Sequence, residues 1–227
     1  MPALIGGGKT AKPGEMSLAH LGVLFLDELP EFNRQTLEAL RQPLESGYVH
    51  IARANAHVSY PARIQLIAAM NPCRCGYLGD GERACNRAPK CGRQYRDKIS
   101  GPLLDRMDIY LEISALAPYE LHSYSTTETS AIIKERVLNA RLRQRERLHP
   151  YQMRTNSEVD GNLLFEIAHP CPSGQRLLEE AAKKLRLSAR GYHRVLRVAR
   201  TIADLEDCPK VREEHIAESL SYRERLN

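Results

Sequence analysis

The chain has 227 residues, 42% of them hydrophobic and 27% charged. That is enough to bury one large core or two small ones, and it excludes a wholly disordered or collagen-like polymer. Its longest apolar run, Gly22 to Leu26, is far too short to span a bilayer, and no signal-peptide core opens the chain. The expected setting is therefore the cytoplasm, with no membrane partner. In a reducing compartment six Cys do not read as a disulfide framework. Basic residues outnumber acidic ones by 33 to 28, and Arg supplies 25 of the 33. The mild excess permits nucleic-acid binding without demanding it.

In chain order, residues 1–20 are rich in Gly and Lys and carry the turn signal Pro13-Gly14. They read as a short hairpin with Lys9 and Lys12 near its tip. Gly22 to Leu26 is a continuous apolar run closed by Asp27-Glu28, the pattern of a strand buried on both faces of a parallel sheet. Leu37, Leu40 and Leu44 recur at helical spacing over 33–46, and Gly47 supplies the stop. Residues 48–63 read as two strands with a turn near Arg53 to His57. Ile64 to Met70 is a second buried-strand candidate, ending in Asn71-Pro72. A Cys- and Gly-rich loop covers 73–92, and Ile109 to Ile113 is a third strand candidate. From about 127 every periodic segment is helical: 127–148, 159–168, 173–186, 188–206 and 212–224. An α/β domain followed by an all-α domain is the simplest architecture.

Two apolar runs that end in Asp27-Glu28 and Asn71-Pro72 place polar groups at the carboxyl ends of interior strands, where open α/β sheets bind ligands. An Asp there suits Mg²⁺ and its waters, a neighbouring Glu suits polarising an attacking water, and an amide orients either without neutralising the metal. The plainer alternatives are acids at a helix start and a turn-forming Asn-Pro. Arg106, in Leu103 to Asp108, suits stabilising charge on a phosphoryl group; its plainer alternative is a surface pair with Asp108.

Four stretches carry a family resemblance: Ser17–Phe32 (SLAHLGVLFLDELPEF), Ala68–Pro72 (AAMNP), Ile99–Asp108 (ISGPLLDRMD) and Ser188–Leu205 (SARGYHRVLRVARTIADL). Together they resemble the magnesium-chelatase-related AAA+ ATPases of the YifB/ComM type, over nearly the whole chain. The resemblance implies a partial α/β AAA+ core, a parallel sheet with hairpin insertions over 1–117, followed by an all-α lid over 118–227. It implies ATP and Mg²⁺ as cofactors, with Asp27 and Glu28 as the Walker B pair and Asn71 as sensor 1. Arg106 matches the arginine finger acting on the next subunit, and Arg190 the sensor 2 position, with Arg194 one turn on as the fallback. A homo-oligomeric, hexameric ring acting on DNA as a branch-migration helicase is the implied assembly.

The expected phosphate loop, G-x-x-x-x-G-K-[ST], is nearly matched by residues 3–10, with Ala3 in place of the first Gly. No strand precedes it, and Pro13-Gly14 stops a following helix. It resembles instead a hairpin that comes after the true phosphate loop. The chain thus reads as the C-terminal part of a longer protein, and on its own it is expected to bind ATP weakly or not at all. Relatives in this class, including MCM helicases, carry two hairpins into a central pore. By that resemblance Lys9, Lys12, Arg53 and His57 are candidates for contacting DNA phosphate.

Cys73, Cys75, Cys85 and Cys91 lie within 19 residues of Gly- and Arg-rich loop. Structural Zn²⁺, plain reduced thiols and an oxidised pair are the three readings. Helix 130–148 reads as a solvated helix with one apolar stripe, Ile132, Val137, Leu138, Leu142 and Leu148, or as a basic partner-facing one. Two rival functions stand beside the helicase: a metal-insertion motor like magnesium chelatase, and a non-catalytic truncated module.

Overall fold

The computed structural model describes residues 2–8, 10–53, 56–78, 85–113 and 128–223, without the side chains of Pro2, Arg53 and Ala56. Lys9, the hairpin tip 54–55, loop residues 79–84 and the expected domain junction near 117 lie outside them. The chain divides into two compact units, Met1–Met107 and Asp108–Asn227. The first is α/β with a small parallel sheet, and the second is helical.

The first unit opens with a helical turn α1 (Pro2–Ile5), strands β1 (Gly6–Gly7) and β2 (Lys12–Pro13), and a second turn α2 (Glu15–Leu18). The two strands pair antiparallel, Gly6 opposite Pro13, so the hairpin forms with Lys12 on its returning arm. A Cβ on Gly6 would stand 2.5 Å from the Lys12 carbonyl oxygen, and its φ is +98°. Only a residue without a side chain lets the arms approach this closely.

Strand β3 (Val23–Leu26) pairs in parallel with β6 (Gln65–Ala68). Between them lie α3 (Arg34–Ser46) and the antiparallel hairpin β4 (Tyr48–Arg53) and β5 (Ala56–Pro61). Helix α3 starts on Asn33, whose side-chain oxygen accepts the Thr36 N–H at 2.8 Å, and stops on Gly47 at φ +72°. Leu37 and Leu40 bury completely, and with Met16, Leu26, Leu29, Val49, Ile51, Ile99 and Leu103 they form the core. The two hairpins are tied together: the Tyr60 hydroxyl donates to the Ala11 carbonyl at 2.9 Å. Two short helices, α4 (Lys90–Arg96) and α5 (Gly101–Leu104), complete the unit.

Two expectations are corrected here. Strand β3 is buried on one face only: Leu26 is covered, whereas Val23 and Phe25 remain 55% and 58% exposed. Phe25 sits in register with the exposed Ile67, so the uncovered face of the pair is apolar. Ile109 to Ile113 is not a strand; its alternate residues Ile109, Leu111 and Ile113 are exposed, and no strand among the described residues pairs with it. Extended backbone without a ladder partner has no register to hold it.

The second unit contains α6 (Ser130–Leu148), α7 (Gly161–Ile167), α8 (Pro172–Lys184), α9 (Ala189–Leu205) and α10 (Glu213–Ser221). Its core joins Leu148, Val159, Leu164, Leu178, Val195, Leu196, Ala199 and Ile216. The apolar stripe expected on α6 is displaced: Ala140, Gln144 and Leu148 are buried, whereas Ile132, Val137, Leu138 and Leu142 are exposed. Those four are scattered around the helix rather than gathered on one face, so packing takes the small and polar side instead. Gln144 is drawn into the interior with the stripe, and Arg147 of the same helix joins an ionic cluster. Arg147 grips Asp204 with two hydrogen bonds of 2.8 and 2.7 Å, Asn156 donates to the same carboxylate at 2.9 Å, and the buried Arg200 lies 3.1 Å from it.

Candidate functional site

Because β3 and β6 run parallel with Leu26 opposite Ala68, both strands end at the same edge of the sheet. The ladder runs one step further: the Ala69 N–H donates to the Leu26 carbonyl at 2.9 Å, and Leu29 N–H to the Ala69 carbonyl at 3.0 Å. Asp27 therefore emerges beside Ala69, with Asn71 two residues beyond. All three polar residues, Asp27, Glu28 and Asn71, are exposed at this edge.

The local backbone there is unusual. Glu28 adopts φ 49°, ψ 46°, the left-handed region that costs a residue with a side chain about 1 kcal/mol or more. The Asp27 carboxylate takes the Glu28 N–H at 2.8 Å, and the buried Leu29 and Pro30 anchor the 3₁₀ turn that follows. The two acids thus occupy the step between β3 and this turn, and both are exposed. One Asp27 oxygen is engaged by the backbone, and hard carboxylate oxygens of this kind suit Mg²⁺, which takes few protein ligands and completes its shell with water and phosphate.

Arg106 does not pair with Asp108. Its guanidinium is held within the first unit by the Glu45 carboxylate at 2.5 Å and the Pro102 carbonyl at 2.6 Å, and only 11% of the side chain is exposed. Glu45 lies at the end of α3, distant in sequence, and no spacing rule pointed to it. Arg190 and Arg194 lie on α9 in the second unit. Ser188 caps that helix by accepting the Gly191 N–H at 3.0 Å, as its position suggested. Arg190 is exposed, while Arg194 is mostly covered and sits 3.5 Å from Asp108.

Lys12 and His57 are exposed on separate hairpins, whose arms are tied by Tyr60. Lys9 and the Arg53 side chain lie outside the described residues. Within the near-match to a phosphate loop at 3–10, residues 3–7 belong to α1 and β1 rather than running from a strand into a helix. They lack the geometry that cradles phosphate.

The four loop thiols perturb one another. Burial raises the Cys73 thiol, but hydrogen bonds with Cys75, Leu78 and Cys91 outweigh it and bring it down to about 7. Burial, with Cys85 and Cys73, pushes Cys91 up to about 11. The Arg87 backbone leads in lowering Cys85; for Cys75 the Tyr77 backbone acts downward, but Cys73 and Cys85 hold it above its ordinary value. The Zn²⁺ reading gains no support: among the described residues no group of three or more His, Cys, Asp or Glu side chains is placed to hold a metal ion. The Cys73 and Cys75 sulfurs stand 3.1 Å apart. Thiolates on a tetrahedral zinc with bonds near 2.3 Å are separated by about 3.8 Å.

Comparison with known proteins bears on these residues. Residues 1–121 match the family model for magnesium chelatase, subunit ChlI, and residues 127–223 match that for the ChlI C-terminal region. Competence protein ComM of Haemophilus influenzae is 47% identical over 228 aligned positions, covering 98% of this chain and 43% of ComM. The uncharacterized protein YifB of Escherichia coli is 43% identical, covering 98% of this chain and 43% of YifB. A more distant relative, DNA replication licensing factor MCM7 of Arabidopsis thaliana, is 28% identical over 142 positions, or 61% of this chain and 20% of MCM7. The chain thus spans less than half the length of ComM and YifB. No helix among the described residues is long and apolar enough to cross a membrane. With both units matched by the paired models and nearly every residue aligned to ComM and YifB, the chain belongs to the magnesium chelatase family, as an AAA+ member of the YifB/ComM type.

Proposed function

We propose that this chain carries the Walker B, sensor 1, arginine-finger and lid portions of a cytoplasmic AAA+ ATPase that couples ATP hydrolysis to DNA remodelling in a hexameric homo-oligomer. One observation carries the reading: an acid pair and an amide leave adjacent parallel strands at the same edge of one sheet. In this reading Asp27 would hold Mg²⁺, Glu28 would orient and deprotonate the attacking water, and Asn71 would help position that water. The metal supplies charge neutralisation to the phosphates when bound. Arg106 serves the neighbouring subunit, Arg190 with Arg194 serves from the lid, and residues 1–117 and 118–227 are the core and lid domains. Lys9, Lys12, Arg53 and His57 face DNA phosphate. The ComM similarity and the weaker MCM7 similarity support the DNA-directed version.

The test uses the longer protein. Glu28→Gln is expected to lower kcat for ATP by at least about a hundredfold with ATP binding retained, the signature of a lost catalytic base. Unchanged turnover would sink the assignment. A second reading, a metal-insertion motor, is favoured by the description of both matching family models. Stimulation of turnover by DNA separates the two: a helicase responds, a chelatase motor does not.

A further inference from the structure

We propose that Asp108 is a positioning residue for the lid arginine Arg194: its carboxylate sets the direction of the guanidinium that meets nucleotide phosphate. The inference rests on the proposed function and adds to it a residue that no motif assigned. In the sequence Asp108 reads as a partner for Arg106, two residues upstream. The structure separates them, because the Arg106 guanidinium goes to Glu45 and to the Pro102 carbonyl. The Asp108 carboxylate turns instead to α9, where its Oδ1 lies 3.5 Å from Arg194 Nε. The two ends of this pair differ in exposure: the Asp108 side chain is 59% open to solvent, that of Arg194 only 12%. The acid is held by the backbone just beyond it, where the Tyr110 N–H donates to the Tyr222 carbonyl at 2.8 Å, at the end of α10. Arg194 lies one turn along α9 from Arg190, on the same face, and its neighbours Val195 and Leu196 are buried in the helical core. Packing thus fixes its backbone, while the long side chain still has several rotamers to choose among. Asp108 meets the fork at Nε, the nitrogen nearest the stem. That contact orients the guanidinium plane and does not use the terminal nitrogens through which Arg makes forked contacts with phosphate. An arginine ordered before nucleotide arrives gives up less freedom on binding, so the pair raises affinity without Asp108 touching the ligand. A pair open to solvent on one side adds little to the stability of the fold, and its use lies in orientation.

The test measures ATP dissociation constants in the longer protein carrying Glu28→Gln, so that hydrolysis does not intervene. Asp108→Ala is expected to weaken ATP binding about threefold to tenfold, roughly the ordering cost of one long side chain. Asp108→Glu keeps the charge and is expected to restore most of the lost affinity. The decisive comparison is the double variant. Asp108→Ala with Arg194→Ala is expected to bind ATP no more weakly than Arg194→Ala alone, because the acid acts only through the arginine. A general loosening of the helical unit would instead multiply the two losses and lower the denaturant midpoint of Asp108→Ala. ATP affinity unmoved by Asp108→Ala, or a double variant whose loss is the product of the two single losses, overturns the proposal. Either result leaves the ATPase reading standing as long as Glu28→Gln has lost turnover. Full turnover in Glu28→Gln removes that reading, and the proposal with it.

Discussion

Arg106 shows what a single residue must give up to act in an assembly. Its two terminal nitrogens are spent on Glu45 and the Pro102 carbonyl, in a largely covered position. A charged pair of this kind is costly to break on one side alone, because the partner is left unmatched. If Arg106 serves a neighbouring subunit's phosphate, engagement must compete with Glu45. Glu45→Gln in the longer protein keeps a hydrogen-bond acceptor but removes the charge. It is expected to shift the protein concentration giving half-maximal ATP turnover downward, measured by titrating the enzyme at saturating ATP. Arg106→Ala is expected to lower kcat about a thousandfold with little change in KM. If Glu45→Gln instead loses turnover as Arg106→Ala does, Glu45 positions the arginine for use rather than restraining it.

At the scale of elements, a hydrogen bond from Tyr60 to Ala11 joins the two hairpins. Removing it with Tyr60→Phe keeps the ring's packing and is expected to cost about 1 kcal/mol of local stability. Faster amide exchange over residues 10–13 would register it. If both hairpins meet the nucleic-acid backbone, Lys12→Ala with Arg53→Ala in the longer protein should flatten the slope of log affinity against log salt by about two phosphate contacts' worth. An unchanged slope would leave the hairpins without that role. Most elements were legible in the chain before any coordinates. Leu37, Leu40 and Leu44 marked α3, Asn33 and Gly47 its ends, and Ser188 the start of α9, because period and capping act locally. The common edge of Asp27 and Asn71 was legible too, since two apolar runs of one type imply parallel neighbours. What escaped was decided by contacts across long sequence separations. Glu45 on Arg106, Tyr60 on Ala11, and the absence of a strand partner for Ile109 to Ile113 among the described residues leave no mark in local spacing. The apolar uncovered face of β3 is the converse case: Val23 and Phe25 read as buried because their neighbours in sequence are apolar, yet nothing among the described residues covers them.

For the molecule as a whole, the two hydrophobic cores draw on separate stretches. One is built from Leu4 to Leu103 and the other from Leu148 to Ile216. The second also encloses charge. Asp204 is 1% exposed and answers both Arg147 and Arg200, with Asn156 as a further donor. Burial lowers the pKa of Arg200, but two backbone carbonyls, of Cys208 at 2.6 Å and Pro209 at 2.9 Å, help hold its guanidinium. Removing the carboxylate therefore leaves two cations near one another with their shared anion gone, one of them fully enclosed. Breaking such a cluster on one side costs about 3–5 kcal/mol, a large share of the roughly 5–15 kcal/mol that holds a domain together. Asp204→Ala is thus expected to speed amide exchange at Val195, Leu196 and Ala199, and to lower the denaturant midpoint of the helical unit. The amides of Leu37 and Leu40, whose core is built entirely from the first unit, should keep their protection. Loss of protection at Leu37 and Leu40 to the same degree would mean that the two cores unfold as one cooperative body, and that the ionic cluster supports the α/β unit as well as the helices around it.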